Sequence, residues 1–493
     1  MKMKLKDLLA RTEYEVIQGS DEIEIATLIN DSRKAAPRAV FVCIPGAKSD
    51  GHKFAADVAE KGASALIVER KLPIDNITQI LVKDSRVALA EASAAYFGYP
   101  AEKMTTIGIT GTKGKTTTTY MVRSILELSG IPTGLIGTIE TIIGDEVIPS
   151  VNTTPESYKV QEYFSKMVEK GIKCVVMEVS SQALMQHRVG GITFDYGIFT
   201  NLSEDHIGPN EHKDFEDYKY WKSTMFKNCK VGIFNADDPH FEEMKALADC
   251  KIETFGLSET SDLYASELSL LKKGGSLGVR YKVSGLEEME VELNMPGKFS
   301  VYNSLTAISI CHHFGVEKEV IQKALSEVRV KGRVEIVPAS DRYTLIIDYA
   351  HMAEALKSVL TTLREYDNDP EHPIRLVTLF GCGGDRAKER RFGMGEVSSN
   401  LSDLTVVTSD NPRTEKPEAI IADIIEGVKR GPGKYVTIPD RKEAIRYCML
   451  NAEDGDVIVL AGKGHETYQE INGVKYDMDE RVLIREILEE EGL

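Results

Sequence analysis

The chain has no Cys-x-x-Cys pair; its seven cysteines (43, 174, 229, 250, 311, 382 and 448) are scattered and odd in number. That spacing offers no zinc site and suits reduced thiols, so a cytoplasmic protein is expected. No apolar run reaches the ~18 residues needed to cross a bilayer, and no membrane span is expected. The opening Met-Lys-Met-Lys-Leu-Lys-Asp runs on into acidic residues rather than an apolar stretch, so no signal peptide is expected. Positive charge is also short: 60 lysines and arginines stand against 77 acidic residues, a formal net charge of -17. Nucleic acids and anionic membranes want a basic face, and neither is expected as a partner. Local arginines and helix N-termini can still bind a small anion. Internal repeats and low-complexity tracts are absent as well.

What is present starts with Gly108-Ile109-Thr110-Gly111-Thr112-Lys113-Gly114-Lys115-Thr116-Thr117. An apolar approach precedes this segment, and Thr118 to Ser129 reads as a helix after it. Glycines in a strand-to-helix turn let backbone N–H groups close around phosphate oxygens, aided by the helix dipole. In such a loop Lys115 reaches the β- and γ-phosphates and the Thr116 hydroxyl ligates Mg²⁺. A full Walker pattern wants glycine five residues before Gly114, where Ile109 stands, so this is a shorter Thr-Gly-Thr-x-Gly-Lys-Thr form. ATP is the expected nucleotide.

At 493 residues the chain exceeds one core, and about 150 residues per domain suggests three. Strand and helix alternate in each third, so the expected class is α/β: a central P-loop parallel sheet and a Rossmann-like C-terminal domain. The expected divisions are 1–103, 104–331 and 332–493. In the first, Val40–Ile44 and Ala65–Val68 read as strands, and Val87, Ala90, Ala94 and Phe97 keep helical spacing. Thr106–Ile109, Lys173–Glu178 and Tyr196–Thr200 are apolar strands of the second. Leu345–Asp348, Leu376–Gly381, Thr405–Thr408 and Asp456–Ala461 are four strands of the third. Gly274-Gly275 and Ser284-Gly285 punctuate an antiparallel section.

Two polar residues follow strands of the P-loop domain. Glu178 closes one and His206 comes shortly after another; with Thr116 they are candidate Mg²⁺ ligands. Tyr218, Lys222 and Phe226 fall at i, i+4 and i+8, one face of a helix. A lysine there would repel a metal, unless CO₂ adds to its amine and gives a carbamate that can ligate.

Together, Thr110–Thr117, Glu178-Val179-Ser180-Ser181, Thr200-Asn201-Leu202 with Asp205-His206, and Tyr218…Lys222…Phe226 resemble the Mur ligases. The resemblance covers the whole chain and implies an ATP-dependent, amide-forming ligase of peptidoglycan synthesis. Asp31-Ser32-Arg33, Phe41-Val42 and Gly46…Asp50-Gly51-His52 resemble the UDP-binding domain of the branch that adds the third peptide residue, the MurE type. For that branch it implies contacts to the UDP-N-acetylmuramoyl dipeptide from Ser32, Asn152, Thr153, Thr154, Ser180 and Arg188. The phosphate loop (Gly111, Thr112, Lys113, Gly114, Lys115, Thr116, Thr117), Asn303, Arg333, Asp348 and His351 are implied at ATP, with Asp237 and Asp238 nearby. Lys115, Glu178, His206 and Lys222 are implied in catalysis; Thr116, Glu178, His206 and carbamylated Lys222 at metal.

The strand-to-loop turns of the third domain are implied to hold the incoming amino acid through Arg386, Asp410, Asn411, Pro412, Arg413, Gly462 and Glu466. Asp410-Asn411-Pro412-Arg413 resembles the form in ligases that add meso-diaminopimelate. An Arg fork suits that substrate's distal carboxylate and Glu466 its ammonium, whereas lysine has no distal carboxylate. The expected reaction joins meso-2,6-diaminopimelate to UDP-N-acetylmuramoyl-L-alanyl-D-glutamate through an acyl phosphate, in a monomer. Its rivals are the same ligase adding L-lysine or another amino acid, a folate polyglutamylating ligase, and a silent paralogue that binds nucleotide or UDP-peptide. The chain departs from the family at Met352-Ala353-Glu354, Ala387, Arg390-Arg391-Phe392, Ser300 and Gln182. The larger departures fall in the hinge and amino-acid regions.

Overall fold

Ala65-Leu66-Ile67-Val68 is apolar at every position because its strand is covered on both faces, and all four residues are buried. It lies inside a five-stranded sheet ordered Glu15–Gln18, Thr78–Leu81, Ala65–Val68, Ala39–Val42, Thr27–Ile29. All pairs but the first are parallel. The helix Ser85–Tyr96 starts where the Asp84 carboxylate accepts the N–H groups of Arg86 and Val87 at 2.8 and 3.2 Å. Ala90 and Ala94 face inward as their spacing predicts, but Val87 is 39% exposed. The buried stripe runs instead through Ala88, Leu89, Ala92 and Ala95, so small residues let the helix lie close to the sheet.

A 3₁₀ turn at Pro100–Lys103 leads into a second set of strands. Six of them are parallel, in the order Thr133–Ile136, Cys174–Glu178, Thr105–Thr110, Phe194–Phe199, Cys229–Asn235, Lys251–Gly256. The strands Glu140–Ile143 and Glu146–Pro149 extend the first edge in antiparallel pairing. Behind them Phe164, Phe194, Phe199, Phe226 and Phe234 form an aromatic core, with the last pair of rings 4.3 Å apart.

The computed structural model describes residues 3–46, 49–208, 211–273, 276–367 and 374–492. Within it, Met1–Leu263 with Thr306–Val316 forms one compact unit, and Tyr264–Leu305 with Glu317–Leu493 a second. Gly274-Gly275 lies outside the described residues; Ser284-Gly285 closes the strand Ser276–Gly285, which pairs antiparallel with Met289–Leu293.

In the second unit a six-stranded sheet runs Glu335–Val337, Thr344–Asp348, Val457–Ala461, Leu376–Phe380, Leu404–Val407, Lys434–Thr437. The four central strands match the predicted ones to within a residue or two. Two edge strands were not foreseen, because Lys434–Thr437 is mostly exposed and Glu335–Val337 is only half-buried. The helices Glu389–Leu401 and Pro417–Val428 cross closely at two glycines. A Cβ on Gly395 would sit 2.3 Å from the Ile424 carbonyl oxygen, and one on Gly427 2.1 Å from that of Phe392. Arg391, within the Arg390-Arg391-Phe392 departure, is almost fully buried and reaches Glu415 at 2.6 and 2.9 Å and Asp423 at 2.8 Å.

Candidate active site

Ile109 is buried inside the strand Thr105–Thr110, so the position that a longer Walker loop gives to glycine is still sheet here. The loop opens at Gly111, where φ is 147°, and a Cβ would lie 2.0 Å from Thr200 Oγ1. Gly114, with φ 86°, starts the helix Lys115–Leu128, three residues earlier than the expected start at Thr118. Asn201 holds the loop from the side: its backbone oxygen accepts Thr112 N–H at 2.8 Å and its Oδ1 accepts Lys113 N–H at 2.9 Å. Lys115 Nζ donates to the carbonyls of Gly111 and Thr112 at 2.8 and 3.0 Å.

Glu178 ends its strand fully buried, in a nest of donors. Thr138 N–H reaches Oε1 at 2.7 Å, while the Thr138 and Thr116 hydroxyls both reach Oε2 at 3.0 Å. Gly137 makes room, since a Cβ there would stand 2.6 Å from Oε1. A carboxylate and two hydroxyls converging at the phosphate loop form the hard-oxygen donor set that suits Mg²⁺. Thr138 carries no motif signal and was not foreseen.

Lys222 is 1% exposed and donates to Gly111 O at 2.9 Å, with its Nζ 4.6 Å from the Tyr218 ring centre. Tyr218, Lys222 and Phe226 are all buried on one face, although the α-helix Phe215–Ser223 gives way to a 3₁₀ turn before Phe226. Burial first, and then the Lys115 ammonium, push the Lys222 amine well below the usual lysine range. An amine whose charged form is disfavoured in this way is the more open to addition of CO₂. His206 is half-exposed, has φ 56°, and pairs with Glu211 at 3.1 Å.

A cavity of about 180 Å³ is lined by Lys115, Lys222 and His206 together with Asn152, Thr153, Thr154, Ser180, Ser181, Gln182 and Arg188, whereas Thr116 and Glu178 are not part of its lining. The Asn152–Thr154 loop is pinned there by Arg188, which donates to Thr154 O at 2.9 Å and pairs with Glu156 at 3.0 Å. Thr154 Oγ1 donates in turn to Glu178 O at 2.8 Å. Ser32 does not line this cavity; it opens a 3₁₀ turn capped by Asp31, whose carboxylate also holds the Arg33 fork at 2.8 and 2.9 Å. Asp237 and Asp238 bind backbone N–H groups of Leu257, Leu202 and His240 and so brace neighbouring loops.

In the second unit, Asp348 uses both carboxylate oxygens on backbone N–H groups, Val334 at 2.7 Å and Ala350 at 2.8 Å. The Arg333 guanidinium lies 4.7 Å from the Tyr349 ring, which also contacts the rings of His351 and His465. Burial lowers the His351 pKa. Asn303 is buried in the helix Lys298–His313. At the strand ends, Arg413 sits at φ 51° and donates to Gly384 O at 2.7 Å and Glu470 Oε2 at 3.3 Å. Glu466 Oε2 accepts from Asn411 Nδ2 at 3.0 Å and Lys463 Nζ at 2.8 Å. A Cβ on Gly462 would meet Asp410 Oδ2 at 3.3 Å, and Pro412 O packs against Gly384. Arg386 is exposed on the facing loop.

A buried carboxylate beside a phosphate loop, backed by a parallel sheet, and a second α/β unit with polar strand-end loops define an ATP-dependent ligase architecture. Three profiles match in succession: "Mur ligase family, catalytic domain" over 24–102, "Mur ligase middle domain" over 109–311 and "Mur ligase, glutamate ligase domain" over 332–464. The chain belongs to the Mur ligase family. It is 43% identical over 491 residues, 99% of each chain, to the UDP-N-acetylmuramoyl-L-alanyl-D-glutamate--2,6-diaminopimelate ligase of Caldanaerobacter subterraneus. The corresponding ligase 1 of Clostridium acetobutylicum is 45% identical over 495 residues, covering 99% of this chain and 100% of that one. A solved structure of a ligase with the same name superposes with a TM-score of 0.74 at 27% identity, covering both chains fully. A MurF ligase from Thermotoga maritima in complex with ADP shares the fold, with a TM-score of 0.58 at 19% identity over 94% of this chain and 97% of that one.

Proposed function

We propose that this chain uses ATP to join meso-2,6-diaminopimelate to UDP-N-acetylmuramoyl-L-alanyl-D-glutamate in peptidoglycan synthesis. The observation that carries the reading is the cavity shared by Lys115, Lys222, His206 and the Asn152–Thr154 loop, a place where a phosphate donor and a carboxylate acceptor can meet. Full-length relatives at 43% and 45% identity bear that activity in their names.

The D-glutamyl carboxylate attacks the γ-phosphate to give an acyl phosphate and ADP, and the amino group of the incoming residue then displaces phosphate. Lys115 and the N–H groups of the Gly111–Thr117 loop orient the phosphates and meet the charge that builds on the transferring group. Magnesium, held by Thr116 and Glu178 and by His206 with carbamylated Lys222, would neutralise phosphate charge. Asn152, Thr153, Thr154, Ser180 and Arg188 bind the peptidyl end of the UDP substrate, and Ser32 its uridine diphosphate end. Asn303, Arg333, Asp348 and His351 complete the nucleotide contacts. Arg413 with Arg386 takes the distal carboxylate of the amino acid, and Asp410, Asn411, Pro412, Gly462 and Glu466 hold its ammonium side. The functional divisions are 1–103 for the UDP-sugar, 104–331 for ATP and 332–493 for the amino acid, in a cytoplasmic monomer.

Phosphate release is the test, with ATP, Mg²⁺ and the UDP-dipeptide, plus meso-diaminopimelate, L-lysine, L-ornithine or nothing. Release that needs both the UDP-dipeptide and diaminopimelate supports the proposal. Preference for lysine overturns the role of Arg413, and no release with any amino acid overturns the ligase reading.

A further inference from the structure

Lys463 is 0% exposed, yet the chain spends a charged residue there between Gly462 and Gly464, both with positive φ. An isolated buried ammonium is costly, so its partners identify its task. Its three N–H donors have three acceptors: Asn411 Oδ1 at 3.0 Å, Glu466 Oε2 at 2.8 Å and the Tyr468 carbonyl at 2.5 Å. These come from two different strand-end loops. Asn411 Oδ1 also accepts Glu470 N–H at 2.9 Å, so two donors on that oxygen turn the amide Nδ2 toward Glu466. Glu466 Oε2 is thereby saturated by two donors, and among the described residues no hydrogen bond is recorded on Oε1.

We propose that Lys463 is the positioning residue of the amino-acid subsite, fixing the Asn411 amide and the Glu466 carboxylate so that Oε1 faces the substrate ammonium. This rests on the assignment of Asn411 and Glu466 to amino-acid binding. Lys463 itself touches no substrate. A side chain filling space would be served equally well by methionine, which has similar length and no charge. Without the ammonium, Asn411 Oδ1 keeps only Glu470 N–H and Glu466 Oε2 keeps only Asn411 Nδ2, so the carboxylate is freer to rotate from its position.

The experiment compares wild type with Lys463→Met in two assays. The first is positional isotope exchange within ATP, driven by reversible acyl-phosphate formation from ATP and UDP-dipeptide without amino acid. The second is the steady-state KM for meso-diaminopimelate. The expected result is unchanged exchange, unchanged KM for ATP and UDP-dipeptide, and a KM for the amino acid raised roughly 10- to 100-fold, as misplaced binding groups produce. An amino-acid KM within twofold of wild type overturns the proposal, as does a parallel loss of exchange, which marks a general structural role. Should Lys463→Met not fold, Lys463→Gln, which keeps a donor without the charge, is read by the same criteria. Absence of exchange in the wild type is a separate outcome; it overturns the ligase reading on which the proposal stands.

Discussion

Gly111→Ala tests the geometry of the phosphate loop directly. The substitution meets two obstacles: a φ of 147° that side chains rarely adopt, and a Cβ placed 2.0 Å from Thr200 Oγ1 and 3.0 Å from Asn201 O. Backbone strain of this kind costs about 1–3 kcal/mol and a forced contact about 1–3 kcal/mol more. Thr200 Oγ1 can turn aside only by leaving Lys113 O, to which it donates at 2.8 Å, while the Asn201 backbone cannot move without releasing Thr112 N–H. The loop therefore shifts away from its phosphate-binding form, and restoring that form on binding costs about 2–3 kcal/mol, or an ATP Kd weakened about 30- to 140-fold. Gly130→Ala is the control, since its φ is 83° with nothing within 4 Å of the new Cβ. That variant carries strain without a clash, far from the loop, and leaves ATP affinity unchanged. Isothermal titration with ATP and Mg²⁺ measures both. Gly111→Ala binding ATP within threefold of wild type would refute the reasoning. Adding Thr200→Ala to Gly111→Ala recovers part of the loss if the hydroxyl is the principal obstacle.

Three other outcomes follow from the same geometry. Glu178→Gln keeps the shape of the nest but places an amide among the Thr138 and Thr116 donors; turnover falls about 100-fold or more while the melting temperature stays within a few degrees, and unchanged kcat would show that the charge is not used. Arg441→Met strands the Glu480 carboxylate, 1% exposed, and costs about 3–5 kcal/mol in urea unfolding; Arg441→Met with Glu480→Met recovers most of it, and a simple sum of the two single losses would refute the pairing. His465 is held down to about 3 by burial and then by the nearby Arg333, Lys331 and Arg481 cations. Between that value and the ordinary histidine range the unfolded chain binds the extra proton, so this contribution to stability is present above about pH 6.5 and is lost as pH falls toward 3. His465→Gln flattens the pH dependence of unfolding in that window, and an unaltered slope argues against the assignment.

The parts legible from sequence share a physical cause. Cys174–Glu178 and Val457–Ala461 are buried on both faces, so their apolar runs announce them, and the polar residues beyond them mark the strands' carboxyl ends. Lys434–Thr437 is a mostly exposed edge whose residues do not differ from a loop. The Gly-Lys-Thr turn was readable because its glycines answer a local conformational need. Burial of Lys222 follows from spacing with Tyr218 and Phe226, but its contact with Gly111 O spans 111 residues, and no local pattern encodes it. Thr138 escaped for the same reason, because its partner Glu178 lies on another strand, and Lys463 escaped because its partner Asn411 lies 52 residues away. The Gly-Lys-Gly sequence around Lys463 was the one available signal, since two flexible residues flanking a charge allow it to turn inward. Arg391, read as a departure from family pattern, is a buried tie to Glu415 and Asp423, and its neighbour Gly395 shows why the helix it sits on has little freedom to shift.

Arg441 reaches the carbonyls of Ser409 and Ala461 at 3.2 and 3.0 Å, one residue before the strand-end loops that begin at Asp410 and Gly462, and anchors to Glu480. The loops thus share one foundation, while their tips at Arg413 and Glu466 stand beyond it. For a lineage, this separates what can drift from what cannot: exchanging a tip residue alters what the loops present on an unmoved frame, whereas losing Arg441 loosens both loops in a single step. Where these loops hold the incoming amino acid, as proposed, a new substrate is reached by editing tips, with the frame inherited intact.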